Sequence, residues 1–532
     1  MGLFGKWSRR DLLKSSGAVA GVMTPIGVVS TPAAAQGGAA PALPAYRPNQ
    51  TDNIFTHIGV RPLINGRGTY TIISGSRSLP EVKQAMFEAS HYYVQMDEMM
   101  DGIGAELGKL MGAEWGIVTN GAEAAICLAT IACVADANVE KCQALPYVKA
   151  KDQVIIPKHS RNPYDVGARM VGVEIVEVET AEELQAKISS RTAMIYVMSG
   201  PQAEKGPLSI VNLCAVAKAN QIPILVDAAA EEPLNPNPHL SRGATLVCYS
   251  GGKCLRGPQS SGILLGDKAL CKAAYYQAAP HHCYGRALKC SKEESMGLLA
   301  AVRQWYKRDH EAEQHMWRGW MQTIEARLKA LPSTSFEYLE PEDLSNKATR
   351  LRVKWDANVL KITGPELTDK LDAGTPRIMI DAGAGRRPAQ MASSVTIMPY
   401  MMDPGEDRII ADAIYAALTN PGHYDNPVLP TGAPASLAGH WAVTIQYLHG
   451  QGLQKLVVEQ SGGTLSGMQH GELYSGKLEG QVHGDHVAMR TMMLVPGNGI
   501  RWLFTGTVNG NRMSGAVDMG EYGPASFTAV RA

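Results

Sequence analysis

Between residues 115 and 266, short apolar runs alternate with longer stretches of helical period. The runs are Trp115–Thr119, Gln153–Pro157, Glu174–Val178, Ala193–Met198, Ile222–Asp227, Thr245–Tyr249 and Gly262–Gly266. Helix-like stretches such as Ala122–Val134 and Ile210–Asn220 lie between them. Strands alternating with helices predict an α/β fold with a mostly parallel, seven-stranded sheet covered on both faces, and ligands at the carboxyl ends of its strands. After about Gln304 the rhythm changes. A polar helix over Asp309–Leu331, short strands and a last helix over Pro404–Leu418 predict a smaller α/β domain.

Prolines 421, 427, 430 and 434 with Gly422 and Gly432 mark a linker. The segments beyond it are short and alternate in part: Trp441–Leu448, Leu453–Glu459, Thr464–His470, Lys477–His483, His486–Leu494, Ile500–Val508 and Arg512–Asp518. Turn signals such as Ser461-Gly-Gly463, His483-Gly-Asp485 and Asn509-Gly-Asn511 separate several of them. A small antiparallel barrel or sandwich is expected there, serving structure or partner binding. The division is therefore a large domain over 51–305, a small α/β domain over 306–420, a linker over 421–434 and a β domain over 435–532.

The amino terminus differs from all of these. Ser8-Arg9-Arg10-Asp11-Leu12-Leu13-Lys14, the apolar stretch Ala18–Val29 and Ala33-Ala34-Ala35 have the form of a twin-arginine export signal, cleaved near Ala35. Its apolar core is short against the roughly 20 residues needed to span a bilayer. The expected location is periplasmic or otherwise exported, by way of the twin-arginine machinery. An Ala/Pro/Gly-rich linker follows over 36–50. The 532 residues carry 50 basic and 50 acidic side chains, so no positive excess favours nucleic acid. Nine cysteines without a Cys-x-x-Cys pair read as buried free thiols, and His281-His282-Cys283 lacks a partner cluster, so no metal site is expected.

The chemistry concentrates at Lys253, in Ser250-Gly-Gly-Lys-Cys-Leu-Arg-Gly-Pro-Gln-Ser-Ser-Gly262, and at Asp227, 26 positions earlier at the end of an apolar run. A lysine amine can form a Schiff base with pyridoxal 5'-phosphate, and a buried aspartate can hold its pyridine nitrogen protonated. Two glycines before Lys253 would let the backbone sit close to a ligand. Asn120, Gly121 and Ala122 follow a strand and open a helix, which suits a phosphate. Ser250 could bond the same phosphate. His159, after the next strand, could stack on the cofactor ring or be a surface loop residue. Arg77, Arg286 and Lys289 are cations able to bind a carboxylate or phosphate, with a solvated helix face as the plainer role for Lys289.

Taken in order, these segments resemble the selenocysteine synthase-like branch of fold-type I pyridoxal-phosphate enzymes, which includes seryl-tRNA selenium transferase and D-glucosaminate-6-phosphate ammonia-lyase. The matching stretches are Ile64-Asn-Gly-Arg-Gly68 with Arg77, Met111-Gly-Ala-Glu-Trp115 through Ala125, Asp227, Lys253 through Gly262, and Gly285-Arg-Ala-Leu-Lys through Glu293. The resemblance implies that Lys253 is the Schiff-base lysine and Asp227 the pyridinium partner. It implies that Arg77 and Arg286 hold an anionic group, with Lys289 where relatives carry arginine, and that the enzyme is a homodimer or larger. The N-terminal tRNA-binding domain of the selenium transferase has no room here. The expected activity is α,β-elimination from a small β-substituted amino acid. Transamination, selenium transfer, aldol cleavage and racemisation use the same ring, and a non-catalytic exported binding protein is the remaining alternative.

Overall fold

A computed structural model describes residues 52–532 apart from 343, 386, 388–391, 427 and 429. The twin-arginine segment and the linker over 36–50 lie outside the described residues.

The first strand, β1 (Leu63–Gly66), is followed by β2 (Trp115–Thr119), β3 (Gln153–Pro157), β4 (Glu174–Val178), β5 (Thr192–Met198), β6 (Ile224–Asp227), β7 (Leu246–Ser250) and β8 (Gly262–Gly266). Strands β2 to β8 form a seven-stranded sheet in the order β2-β8-β7-β6-β5-β3-β4. Only β8 runs against its neighbours; the pairs β3–β4, β3–β5, β5–β6 and β6–β7 are parallel. Burial on both faces explains the unbroken apolar runs of β2, β6 and β8, in which every residue is buried. The helix Gly121–Ala135 is apolar around its circumference, and all residues from Ala124 to Ala135 are buried.

A second sheet holds β9 (Ser335–Leu339), β10 (Arg350–Asp356), β11 (Arg377–Ala382) and β12 (Ala392–Ile397), in the order β1-β11-β12-β10-β9. Strand β1 thus leaves the large domain in which its sequence position had placed it. It pairs in parallel with β11, and Ile64 packs in the small-domain core with Ile380 and Ile410. The motif Ile64–Gly68 is accordingly a turn motif: Asn65 Oδ1 accepts the amides of Arg67 and Gly68, both at 2.9 Å.

The C-terminal strands are β13 (Gly439–Gln446), β14 (Gln451–Ser461), β15 (Thr464–His470), β16 (Ser475–His483), β17 (His486–Val495), β18 (Asn498–Asn509), β19 (Arg512–Asp518) and β20 (Pro524–Arg531). They close into an up-and-down antiparallel barrel in which β20 returns to pair with β13. The sequence pattern yields seven of the eight. Strand β20 escapes because it starts at proline and buries only Phe527 and Ala529 fully, a weak apolar alternation. Closure removes both sheet edges. Leu437, just before β13, is buried in the barrel core, and its carbonyl accepts from Trp441 Nε1 at 2.8 Å.

Phe504 is fully buried in the barrel and meets Phe527 edge-on with centroids 5.3 Å apart. Phe504→Ala is expected to destabilise the barrel by about 3–5 kcal/mol. Faster amide hydrogen exchange across β17 and β18 would show it, and unchanged exchange would contradict this account of the core.

Candidate active site

The carboxyl ends of adjacent parallel strands bring the two principal residues together. Asp227 ends β6, and Lys253 lies three residues beyond the end of β7. Asp227 is 5% exposed and accepts from Tyr196 Oη at 2.8 Å and from the Ala229 amide at 3.0 Å; the Cys248 thiol lies 3.6 Å away. Burial, reinforced by the Asp227 charge, holds the Tyr196 hydroxyl proton well above its ordinary pKa, so Tyr196 is the donor. The Cys248 thiol is pushed up for the same two reasons.

Burial lowers the Lys253 pKa, while the charge of Asp227 opposes that shift. The amine of Lys253 has no hydrogen-bond or ion-pair partner among the described residues. Gly251 and Gly252 are also required by packing within the loop. A Cβ on Gly251 would meet Ser261 Oγ at 2.1 Å, and one on Gly252 would meet the Gln259 backbone at 2.8 Å. They let the loop fold back on itself, with Gly251 N donating to Ser261 O at 2.8 Å.

The helix Gly121–Ala135 starts beside this loop, and Asn120 makes no side-chain cap to its first-turn amides. Gly121 has φ +81°, and the space where its Cβ would stand is open. Backbone packing is tight at Gly262, whose Cβ would lie 2.3 Å from Gly121 C and 2.6 Å from Ala122 N. Ser250, partly buried, pairs with Gly262 across β7 and β8. Asn120 Nδ2 reaches over to the Lys289 carbonyl at 3.3 Å.

His159 lies in the turn after β3, half-buried, with Nε2 3.3 Å from Leu208 O and Nδ1 3.1 Å from Ser160 Oγ. Both ring nitrogens are engaged by the protein, which leaves its faces for a ligand. Arg77 lies beside the Lys253 loop, because Ser76 N donates to Gly252 O at 3.1 Å. Its guanidinium is ion-paired with Asp403, so its charge is already answered within the chain. Two further cations adjoin it that sequence reasoning missed. Lys83 and Arg256 both have lowered pKa values, through burial first, then through the charges of Arg77 and Arg256 on Lys83 and of Arg308 and Arg77 on Arg256. Arg256 also donates from Nε to Arg77 O at 3.1 Å. Arg286 is half-buried and Lys289 exposed, and neither has an ion-pair partner among the described residues.

Cys142 and Cys283 form a disulfide with Cα atoms 6.2 Å apart, which corrects the expectation of free thiols for these two. The other seven cysteines are free, and all but Cys290 are buried. The bridge ties the segment carrying Arg286 to the helix Val139–Ala144, where Gln143 Nε2 also donates to His282 O at 2.6 Å. A separation of 141 residues gave the sequence no sign of it.

The chain is 30% identical over 338 residues to the D-glucosaminate-6-phosphate ammonia lyase of Salmonella typhimurium (strain 14028s / SGSC 2262), covering 61% of this chain and 88% of that one. The chain belongs to this family. The family lies in the selenocysteine synthase-like branch of fold-type I pyridoxal-phosphate enzymes. A 5'-C-glycyluridine monooxygenase-decarboxylase of a Streptomyces species is 28% identical over 345 residues, 61% of this chain and 83% of that one. An L-seryl-tRNA(Sec) selenium transferase of Proteus mirabilis (strain HI4320) is 27% identical over 301 residues, 49% of this chain and 61% of its own length. The solved D-glucosaminate-6-phosphate ammonia-lyase structure superposes with a TM-score of 0.60 at 26% identity, covering 99% of that chain and 69% of this one. Nearly a third of this chain therefore has no counterpart there. No protein-family model matches the chain.

The residues fit the cofactor of these relatives. An unpartnered buried amine suits an aldehyde, a buried carboxylate suits a ring nitrogen, and uncapped helix amides suit a phosphate. Gly262→Ala would drive a methyl group into the backbone at Gly121 and push the helix terminus away. Affinity for pyridoxal phosphate, measured by fluorescence titration, is expected to fall about 10- to 100-fold. Wild-type affinity in this variant would remove the helix terminus from the site.

In the cofactor-free protein, the lowered Lys253 pKa means that the unfolded chain binds the extra proton. Stability therefore rises with pH from the folded pKa up to the ordinary lysine value near 10.5. Lys253→Met should melt above the wild type at pH 7, and the gap should close as pH approaches that value. A gap that widens with pH would show the lysine to be stabilised as the cation.

Proposed function

We propose that this protein is a pyridoxal-phosphate-dependent lyase that carries out α,β-elimination on a small β-substituted amino acid, releasing a 2-oxo acid and ammonia. The observation that carries the reading is the buried, unpartnered amine of Lys253 within the field of buried Asp227, in a chain related to an ammonia lyase. When bound, the cofactor supplies an electron sink for the charge left on the substrate α-carbon.

The chain's own residues account for the rest. Lys253 Nζ is the amine that would hold the cofactor aldehyde and, once released by the substrate amine, would take the α-proton. Burial lowers the cost of its neutral form, which both tasks require. Asp227, kept a hydrogen-bond acceptor by Tyr196, would hold a proton on the ring nitrogen. Asn120, Gly121, Ala122 and Ser250 would hold the phosphate, and His159 would offer a ring face to the cofactor. Arg286, whose charge is unanswered among the described residues, is better placed than Arg77 to take a substrate carboxylate. Lys83 and Arg256 add positive charge beside Arg77 and favour an anionic substrate.

A second reading keeps the cofactor and changes the bond broken. It is favoured by the likeness to a relative named for oxygenation and decarboxylation. Appearance of 2-oxo acid and ammonia from β-hydroxy amino acids supports elimination; release of carbon dioxide with oxygen uptake supports the second.

Two further parts of the reading concern the whole protein. The Cys142–Cys283 bridge supports export to an oxidising compartment, in line with the twin-arginine segment. The exposed apolar side chains Ile54, Phe55, Ile58, Ile72, Tyr92 and Tyr93, near the start of the described residues, support a homodimer or larger assembly.

The purified protein, reconstituted with pyridoxal phosphate, is expected to absorb in the visible range and to lose that band on borohydride treatment with mass added at Lys253. Lys253→Ala should be colourless to this assay, and Asp227→Asn should lose at least about 100-fold in kcat/KM. A wild-type protein that cannot be reconstituted would overturn the proposal.

A further inference from the structure

The barrel meets the loop that follows β3 through the turn between β17 and β18. The turn between β17 and β18 is Pro496-Gly497, and Gly497 has φ +75°. A Cβ on Gly497 would lie 2.2 Å from the Asn162 carbonyl oxygen and 2.9 Å from Asp165 Oδ2. The turn is therefore seated on the loop that follows β3, so closely that no side chain fits between them. The loop beneath it is internally rigid. Asp165, with no exposed side-chain surface, accepts from Arg161 Nε at 2.6 Å and Arg169 Nε at 2.9 Å. Asn162, 7% exposed, accepts the Tyr164 amide at 2.8 Å through Oδ1.

The other end of the Asn162 side chain points at the site. Its Nδ2 donates to Ser160 O at 2.8 Å and to Tyr196 Oη at 3.0 Å. A tyrosine hydroxyl that accepts from one side has its own proton directed to the other, and there it meets Asp227 Oδ2 at 2.8 Å. Barrel turn, Asn162, Tyr196 and Asp227 thus form a continuous line of contacts. Asn162, Tyr196 and Asp227 are each buried, so misalignment of one leaves an unsatisfied polar group at the next.

We propose that the C-terminal barrel is a brace for the candidate site: its β17–β18 turn, docked through Gly497 on the Asn162 loop, fixes the amide that orients Tyr196 towards Asp227. Asn162 and Tyr196 are positioning residues in this scheme, and it rests on the cofactor reading above only for the role given to Asp227. The barrel's place on a chain whose relatives align with just two thirds of it then has a physical reason. It stiffens one wall of the site from outside the fold that builds it.

Gly497→Asn tests this directly, because asparagine tolerates positive φ and so keeps the turn while its Cβ still strikes Asn162. Gly510→Asn is the control, since Gly510 has φ +57° in another barrel turn with nothing within 4 Å of its Cβ position. Amide hydrogen exchange at residues 160–166 is expected to quicken at least about tenfold in Gly497→Asn and to stay at the wild-type rate in Gly510→Asn. Unchanged exchange in both variants, or equal quickening in both, would overturn the brace. With cofactor bound, the pH midpoint of the visible band should move in Asn162→Ala and in Tyr196→Phe, and the double variant should move no further than either. Additive shifts would break the Asn162–Tyr196 link. Absence of any visible band in the wild type would sink the cofactor reading while the exchange comparison still decided the brace.

Discussion

An amine withdrawn from water beside a withdrawn carboxylate is the constraint around which this structure is arranged. Neither group is cheap to bury. Lys253 meets the cost by a lowered proton affinity, and Asp227 meets it by accepting from Tyr196 and a backbone amide. The parallel register of β6 and β7 makes this possible, because Asp227 stands opposite Cys248 and the chain then has only a short loop in which to return the lysine to it. A reactive amine and a ring-nitrogen partner at the end of a parallel sheet are what an electron-sink cofactor requires.

The surroundings hold that pair by close backbone packing more than by side-chain bonds. Gly251, Gly252 and Gly262 admit neighbouring chain at distances that a methyl group would block. The antiparallel strand β8 is thereby brought against the start of the helix Gly121–Ala135 and leaves that helix terminus uncapped and available. Positive charge accumulates on two sides. Arg77, Lys83 and Arg256 cluster where the small domain contributes Asp403, and Arg286 stands on a segment tied back by a disulfide. Of these, Arg77 alone is answered by an ion pair among the described residues, with Asp403, so Arg286 is a stronger candidate than Arg77 for a substrate anion.

The three cores have separate physical characters. The large-domain core is built from strands buried on both faces, the small domain from one sheet face under helices, and the barrel from alternating residues turned inward. The barrel closes its own edges around a core of its own that includes Leu437. Its contact with the large domain at Gly497 has consequence because the loop it touches leads through two side chains to Asp227.

Apolar runs, their spacing and the order of Asn120-Gly121, Asp227 and Lys253 were legible in the chain alone, because strand and helix periods and strand-end chemistry are local properties. The sequence placed all seven strands of the large sheet and seven of the barrel's eight. It did not reveal that β1 crosses to the small domain, since Ile64 and Ile380 meet only after 316 residues of chain have folded. Nor could it show that Tyr196, inside an apolar strand, turns its hydroxyl to Asp227, or that Asp403 occupies Arg77. The Cys142–Cys283 bridge and the seat of Gly497 were hidden for the same reason. Periodicity fixes which face a residue takes, but partnership between distant side chains is settled only when packing brings them within a few ångströms.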